Sequence, residues 1–158
     1  MLRLATIGYA GTSLAGFIDA LAGEGVRTLV DVRAVPASRR PAFSKRALAR
    51  ALGTAGIAYR HLPALGNPAE GRAAARQGRI ADYRRIFAAR LGEPSARDAL
   101  AEIAGLMDEA YPCLLCLEYD PARCHRMMVA NALTRMTGVA ARHLMVRPGD
   151  RRQLPLDL

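Results

Sequence analysis

Tryptophan is missing from the 158-residue chain, aromatic residues make up only 5%, and Lys45 is the single lysine. So few rings leave no interleaved aromatic and basic stripe of the kind that stacks single-stranded nucleic acid. Cysteine is scarce too. Cys113, Cys116 and Cys124 are an odd number confined to one short stretch, which excludes a disulfide framework and points to a reducing, cytoplasmic compartment. No apolar run reaches the roughly 18 residues that a membrane span needs, because Gly, Asp or Arg interrupts each one. The apolar amino-terminal stretch holds Arg3, Asp19 and repeated glycine, which argue against a signal peptide.

The chain is otherwise well supplied for a core. Hydrophobic residues make up 51%, too many for a disordered chain, and a domain of this length buries roughly 70% of its unfolded surface. We expect a single domain over 1–158, with a helical insertion at about 67–110 and a short polar tail at about 147–158. Lys and Arg number 23 against 14 Asp and Glu, a formal charge of +9. That excess permits an anionic small molecule or nucleic acid as partner, and no membrane is implied. Arg72, Arg76, Arg79, Arg84, Arg85 and Arg90 fall in helical sequence, where a solvated face is the plainer reading.

Hydrophobic spacing separates the elements. Strands are expected at Leu2–Ile7, Thr28–Arg33, Ile57–Leu62, Cys113–Glu118 and Ala141–Val146. Between them lie helices: one capped by Thr12 or Ser13 and stopped at Gly23 or Gly25, and one running from Ser44 through Leu52. A third carries Ile80, Tyr83, Phe87 and Leu91, and a fourth opens with Ser95 and Asp98. Asp120 caps a last helix, with Pro121 at its first position. Alternating strands and helices predict an α/β domain, three-layered, with a mostly parallel sheet of about five strands.

In such a sheet, ligands bind beyond the carboxyl ends of the strands. Asp31 and Arg33 end the second strand on one face with Leu29. Glu118 ends the fourth strand on a face with Leu114 and Cys116, so two carboxylates reach one edge as a candidate acid and base. His61 ends the third strand and joins them. Arg33, Ser38 and Arg39 form a proline-bounded basic loop suited to a carboxylate or phosphate. Gly8 and Tyr9 open a turn where a phosphate could approach backbone amides, although it matches no dinucleotide or P-loop fingerprint, and no cofactor is assigned.

The stretch from Cys113 to Arg126 is the densest in reactive groups. Cys113, Cys116, Cys124 and His125 suggest zinc, but the strand period sends Cys113 and Cys116 to opposite faces, so no metal is assigned. A phosphatase loop fails because arginine would be needed at Ala122. Cys124 near a helix start is a candidate nucleophile. His125, adjacent on that helix and therefore a poor direct partner for it, is either catalytic or a buried structural histidine.

Four ordered motifs carry a resemblance. They are Thr6-Ile7-Gly8-Tyr9, Asp31-Val32-Arg33 with Pro36 and Ser38-Arg39, Tyr59 to Pro63 with Leu65-Gly66, and Cys116-Leu117-Glu118 with Pro121 and Cys124-His125-Arg126. Together they resemble the DUF488 family, from Thr6 to about Val146. The resemblance implies a Rossmann-like layered sheet, and many members have histidine where this chain has Tyr9. It brings no activity with it. The residues themselves suggest an enzyme acting on an anionic, phosphorylated or nucleotide-like molecule. In that reading Arg33, Arg39 and Arg126 hold the anion and Glu118 acts as acid or base, assisted by Asp31 or His61. The alternatives are a nucleic-acid-binding module and a non-catalytic metabolite-binding domain.

Overall fold

The computed structural model describes residues 1–146, so the expected polar tail at 147–158 lies outside the described residues. Five strands form one sheet in the order β3-β2-β4-β1-β5: β1 (Ala5–Gly8), β2 (Thr28–Asp31), β3 (Ala58–His61), β4 (Pro112–Cys116) and β5 (Arg142–Leu144). Every pairing is parallel. Each strand is shorter than expected, because the ladder stops where side chains and loops take over the hydrogen bonding. Beyond β4, for example, Tyr9 N–H donates to the Cys116 carbonyl at 3.3 Å and Ala10 N–H to that of Leu117 at 2.8 Å. Leu117 and Glu118 are therefore exposed loop residues and not the end of a buried strand.

Among the described residues six helices flank the sheet: α1 (Leu14–Glu24), α2 (Lys45–Thr54), α3 (Ala69–Arg76), α4 (Ile80–Leu91), α5 (Pro94–Leu106) and α6 (Arg126–Thr137). The period of two divides the core. Ile7, Leu29, Cys113 and Leu115 pack with Phe17 and Leu21 of α1 and Leu48 and Leu52 of α2. Val30, Val32, Leu114 and Cys116 face α5 and α6 on the other side, with Phe87 of α4. β4, in the middle, is buried throughout and reads as an unbroken apolar run. β3, at the edge, alternates between exposed and half-buried.

The caps explain where helices begin and end. The Ser13 side chain accepts from Gly16 N–H at 2.9 Å, and Gly25, at φ 88°, closes α1 in a conformation that favours glycine. Three expectations need correction. The arginines from Arg72 to Arg90, expected on one helix, are spread over α3 and α4, which are broken at Gly78 with φ 73°. Ser95 lies inside α5, whose cap position is Glu93, because Pro94 already fits the first turn. Asp120 does accept from Ala122 N–H, but Pro121–Arg123 forms only a 3₁₀ turn, and α6 begins at Arg126.

Candidate functional site

From β1 the chain moves outward through β2 to β3, returns to lay β4 between β1 and β2, and ends at β5. At the carboxyl edge around β4 a cleft of about 840 Å³ opens. The loops after β1, β2 and β4 form its floor, and α3 and α4 supply its wall.

Beside the cleft, Asp31 and Arg33 form a buried pair, fully and 95% enclosed respectively, with Arg33 5% exposed. Arg33 donates to the carboxylate through Nε at 2.9 Å and Nη2 at 2.7 Å, and its own N–H donates at 3.0 Å. Tyr59 donates its hydroxyl to the same carboxylate. Asp31 thus spends its acceptors on structure. Burial works to lower the Arg33 pKa, but the hydrogen bonds and charge of Asp31 outweigh it and raise the value above the ordinary guanidinium range. Burial, then the bond to Asp31, raises Tyr59 above the ordinary phenol range. Arg33 also donates to the Phe43 carbonyl at 2.8 Å, and Phe43 stacks on Tyr9 with centroids 4.7 Å apart. His61 Nε2 lies 2.8 Å from the Arg33 carbonyl oxygen.

Gly8 serves a steric purpose. A Cβ there would lie 1.8 Å from the Glu118 carbonyl oxygen, so only glycine lets the loop after β4 close over β1. The amides of Tyr9 and Ala10 are already donated to that loop, so the expected phosphate turn has no free donor from them. Arg126, fully buried, reaches the carbonyls of Glu118 and Tyr119 with its two terminal nitrogens and braces the same loop from below.

Cys116, Cys124 and His125 sit together on the floor, each at most 8% exposed. His125 Nδ1 lies 3.5 Å from Cys116 Sγ and 3.8 Å from Cys124 Sγ. Because Cys124 precedes α6 in extended backbone, helical spacing does not keep it away from its neighbour, and the expected separation of Cys124 from His125 is corrected. The hydrogen bond with Cys124 holds the Cys116 thiol below its ordinary range despite burial. Cys124 is pushed well above that range, by burial first and by Cys116 second. Cys113 lies on the opposite face of the sheet, as the strand period predicts, and burial raises its thiol. Tyr83 of α4 lines the cleft above the sulfurs; burial and their nearby charge raise its hydroxyl above the ordinary phenol range.

Among the described residues, five arginines line the cleft: Arg33, Arg72, Arg76, Arg84 and Arg123, against the single carboxylate of Glu118. Of the residues singled out from sequence, Tyr9, Arg33, Glu118, Cys124 and His125 meet in this cleft. Gly8, Asp31, Ser38, Arg39, His61 and Arg126 are not in its lining; Arg39 is exposed on its own loop. Sequence reasoning missed Cys116 as a member of the floor, and Arg72, Arg76 and Arg84 as its wall. The four-residue spacing of Arg72 and Arg76 was the available signal, since such residues share one face of a helix.

The model of a domain of unknown function, DUF488, matches residues 13–133. The chain belongs to the DUF488 family. The match covers β2, β3 and β4 with all six helices apart from the end of α6, and so takes in the cleft except for Tyr9. No curated protein and no solved structure matches this DUF488 chain.

Proposed function

We propose that this DUF488 protein is an enzyme whose cleft binds a small anion, phosphorylated or nucleotide-like, and works on it at the thiol and imidazole floor. The observation that carries the reading is the lining: besides Arg33, the arginines Arg72, Arg76, Arg84 and Arg123 share the cleft with Cys116, Cys124 and His125, and Glu118 is the one carboxylate among them. Guanidinium groups match phosphate and carboxylate oxygens in pairs, and a cleft of about 840 Å³ falls within the size range of small-molecule sites. Arg72, Arg76, Arg84 and Arg123 hold the anion. Glu118, exposed at the mouth, is the acid or base. Arg33, committed to Asp31 and Phe43, is scaffold more than ligand. The recessed floor favours this over a flat nucleic-acid surface, which would have no need of one.

The test is a thermal-shift screen of phosphate, sugar phosphates, nucleotides and short oligonucleotides at low and high salt. A ligand that binds only the folded state raises the melting temperature. The expected result is stabilisation by one small anion that persists at high salt and disappears in Arg72→Ala/Arg76→Ala, with turnover of that compound abolished in Glu118→Gln. Stabilisation by oligonucleotides alone, erased by salt through counterion release, overturns the reading in favour of nucleic acid. A bound anion that is never converted leaves a metabolite-binding domain.

A further inference from the structure

The geometry points to a zinc-binding site formed by Cys116 Sγ, Cys124 Sγ and His125 Nδ1, with its fourth position open to the cleft. The three donor atoms lie within 4.8 Å of one another. A tetrahedral ion about 2.3 Å from sulfur and about 2.0–2.1 Å from nitrogen fixes its sulfur–nitrogen edges at about 3.5–3.6 Å. The observed separations, 3.5 and 3.8 Å, are those edges to within a small adjustment. Two thiolates and one imidazole suit zinc, and three protein ligands with one vacancy is the arrangement of a zinc ion that meets a substrate or water rather than a purely structural one.

A second observation is independent of these distances. His125 Nε2 lies 2.7 Å from the Val32 carbonyl oxygen, which can only accept. Nε2 therefore carries the hydrogen, and in the neutral ring the Nδ1 lone pair is the one aimed at both sulfurs. Metal-bound histidines are oriented in this way, by donation of the far ring N–H to a carbonyl. Phe87 holds the ring from the side, edge to face at 5.2 Å.

Arg126, fully buried, lies behind the loop after β4 with its terminal nitrogens on the carbonyls of Glu118 and Tyr119. Binding would send the two thiol protons to solvent. The spacing argument that separates Cys113 from Cys116 is correct, yet it removes only Cys113; the loop after β4 brings Cys124 and His125 back to Cys116.

The experiment uses the full chain, reduced and isolated from zinc-replete medium, with no anion added, so that it is independent of the substrate reading. Elemental analysis should show about one equivalent of zinc per chain, and Co²⁺ added to the chelator-stripped protein should give thiolate-to-cobalt charge-transfer bands and intense tetrahedral visible bands. Cys116→Ser, Cys124→Ser and His125→Ala should each reduce bound metal to below about a tenth of an equivalent, while Cys113→Ser, whose sulfur lies on the far face, should retain it. Since a ligand variant can fail to fold, the wild-type protein also serves: zinc should shield Cys116 and Cys124 from alkylation under native conditions. Absence of stoichiometric zinc together with no thiolate-to-cobalt band overturns the proposal, as does equal loss of metal in Cys113→Ser.

Discussion

Asp31 shows how a charged residue at a strand end can be structural. Each of its oxygens has partners among Arg33 and Tyr59, and neither it nor Arg33 has meaningful contact with water. Removing one member of a buried pair strands the other charge. Asp31→Asn should therefore lower stability by about 3–5 kcal/mol, read as a shift of the urea midpoint. An unchanged midpoint would mean that Asp31 is held for chemistry and not for the fold. At this scale much of the site was legible: the polar strand ends, the cysteine and histidine stretch and Tyr9 were all visible as residues. Their partners were not, because a partner such as the Phe43 carbonyl or Cys116 is set by where loops return, and no local period records that.

Elements were legible where apolar spacing was regular, and less so at their ends. β4 and α1 come from strong patterns with clear caps, whereas the separation of α3 from α4 depends on one left-handed glycine inside a run of arginines. β5 has just three residues, and beside its ladder with β1 it carries one side-chain bond to that strand. His143 Nδ1 lies 2.7 Å from the buried Thr6 hydroxyl of β1, and burial, with the charge of Arg126 adding to it, lowers the histidine pKa below its ordinary 6.5. A base with a depressed folded pKa takes up its proton more readily when unfolded, so its contribution is fully present above pH 6.5 and is lost as pH falls below that value. Thermal melts between neutral and mildly acidic pH should fall less steeply for His143→Gln than for the parent chain. Parallel curves would remove His143 as the acid-sensitive point of β5.

Across the whole molecule, the helices are unequally secured. α3 buries only Gly71 and Ala74, and α4 only Phe87, while α5 buries Ala96, Ala99, Leu100 and Ile103. Few buried contacts mean a low local opening energy. Hydrogen exchange should be faster in α3 and the first turns of α4 than in α1, α5 or α6, and binding of the small anion proposed for the cleft should slow it there. Uniform protection would show that the wall is as rigid as the rest. The α/β class and the strand-end location of the cleft followed from alternation of elements. The strand order did not, because hydrophobic spacing carries no information about which strands become neighbours.

That order has a kinetic consequence. β1 and β2 are near in sequence yet share no ladder, since β4 lies between them. During synthesis the first sixty or so residues can pair only β2 with β3, and a gap persists until Pro112–Cys116 emerges and is inserted. Sheet closure therefore waits on contacts distant in sequence, which slows folding and leaves apolar strand edges uncovered in the nascent chain. The strand that closes the gap ends in Cys116, so no partly folded form lacking it can assemble the sulfur and imidazole donors.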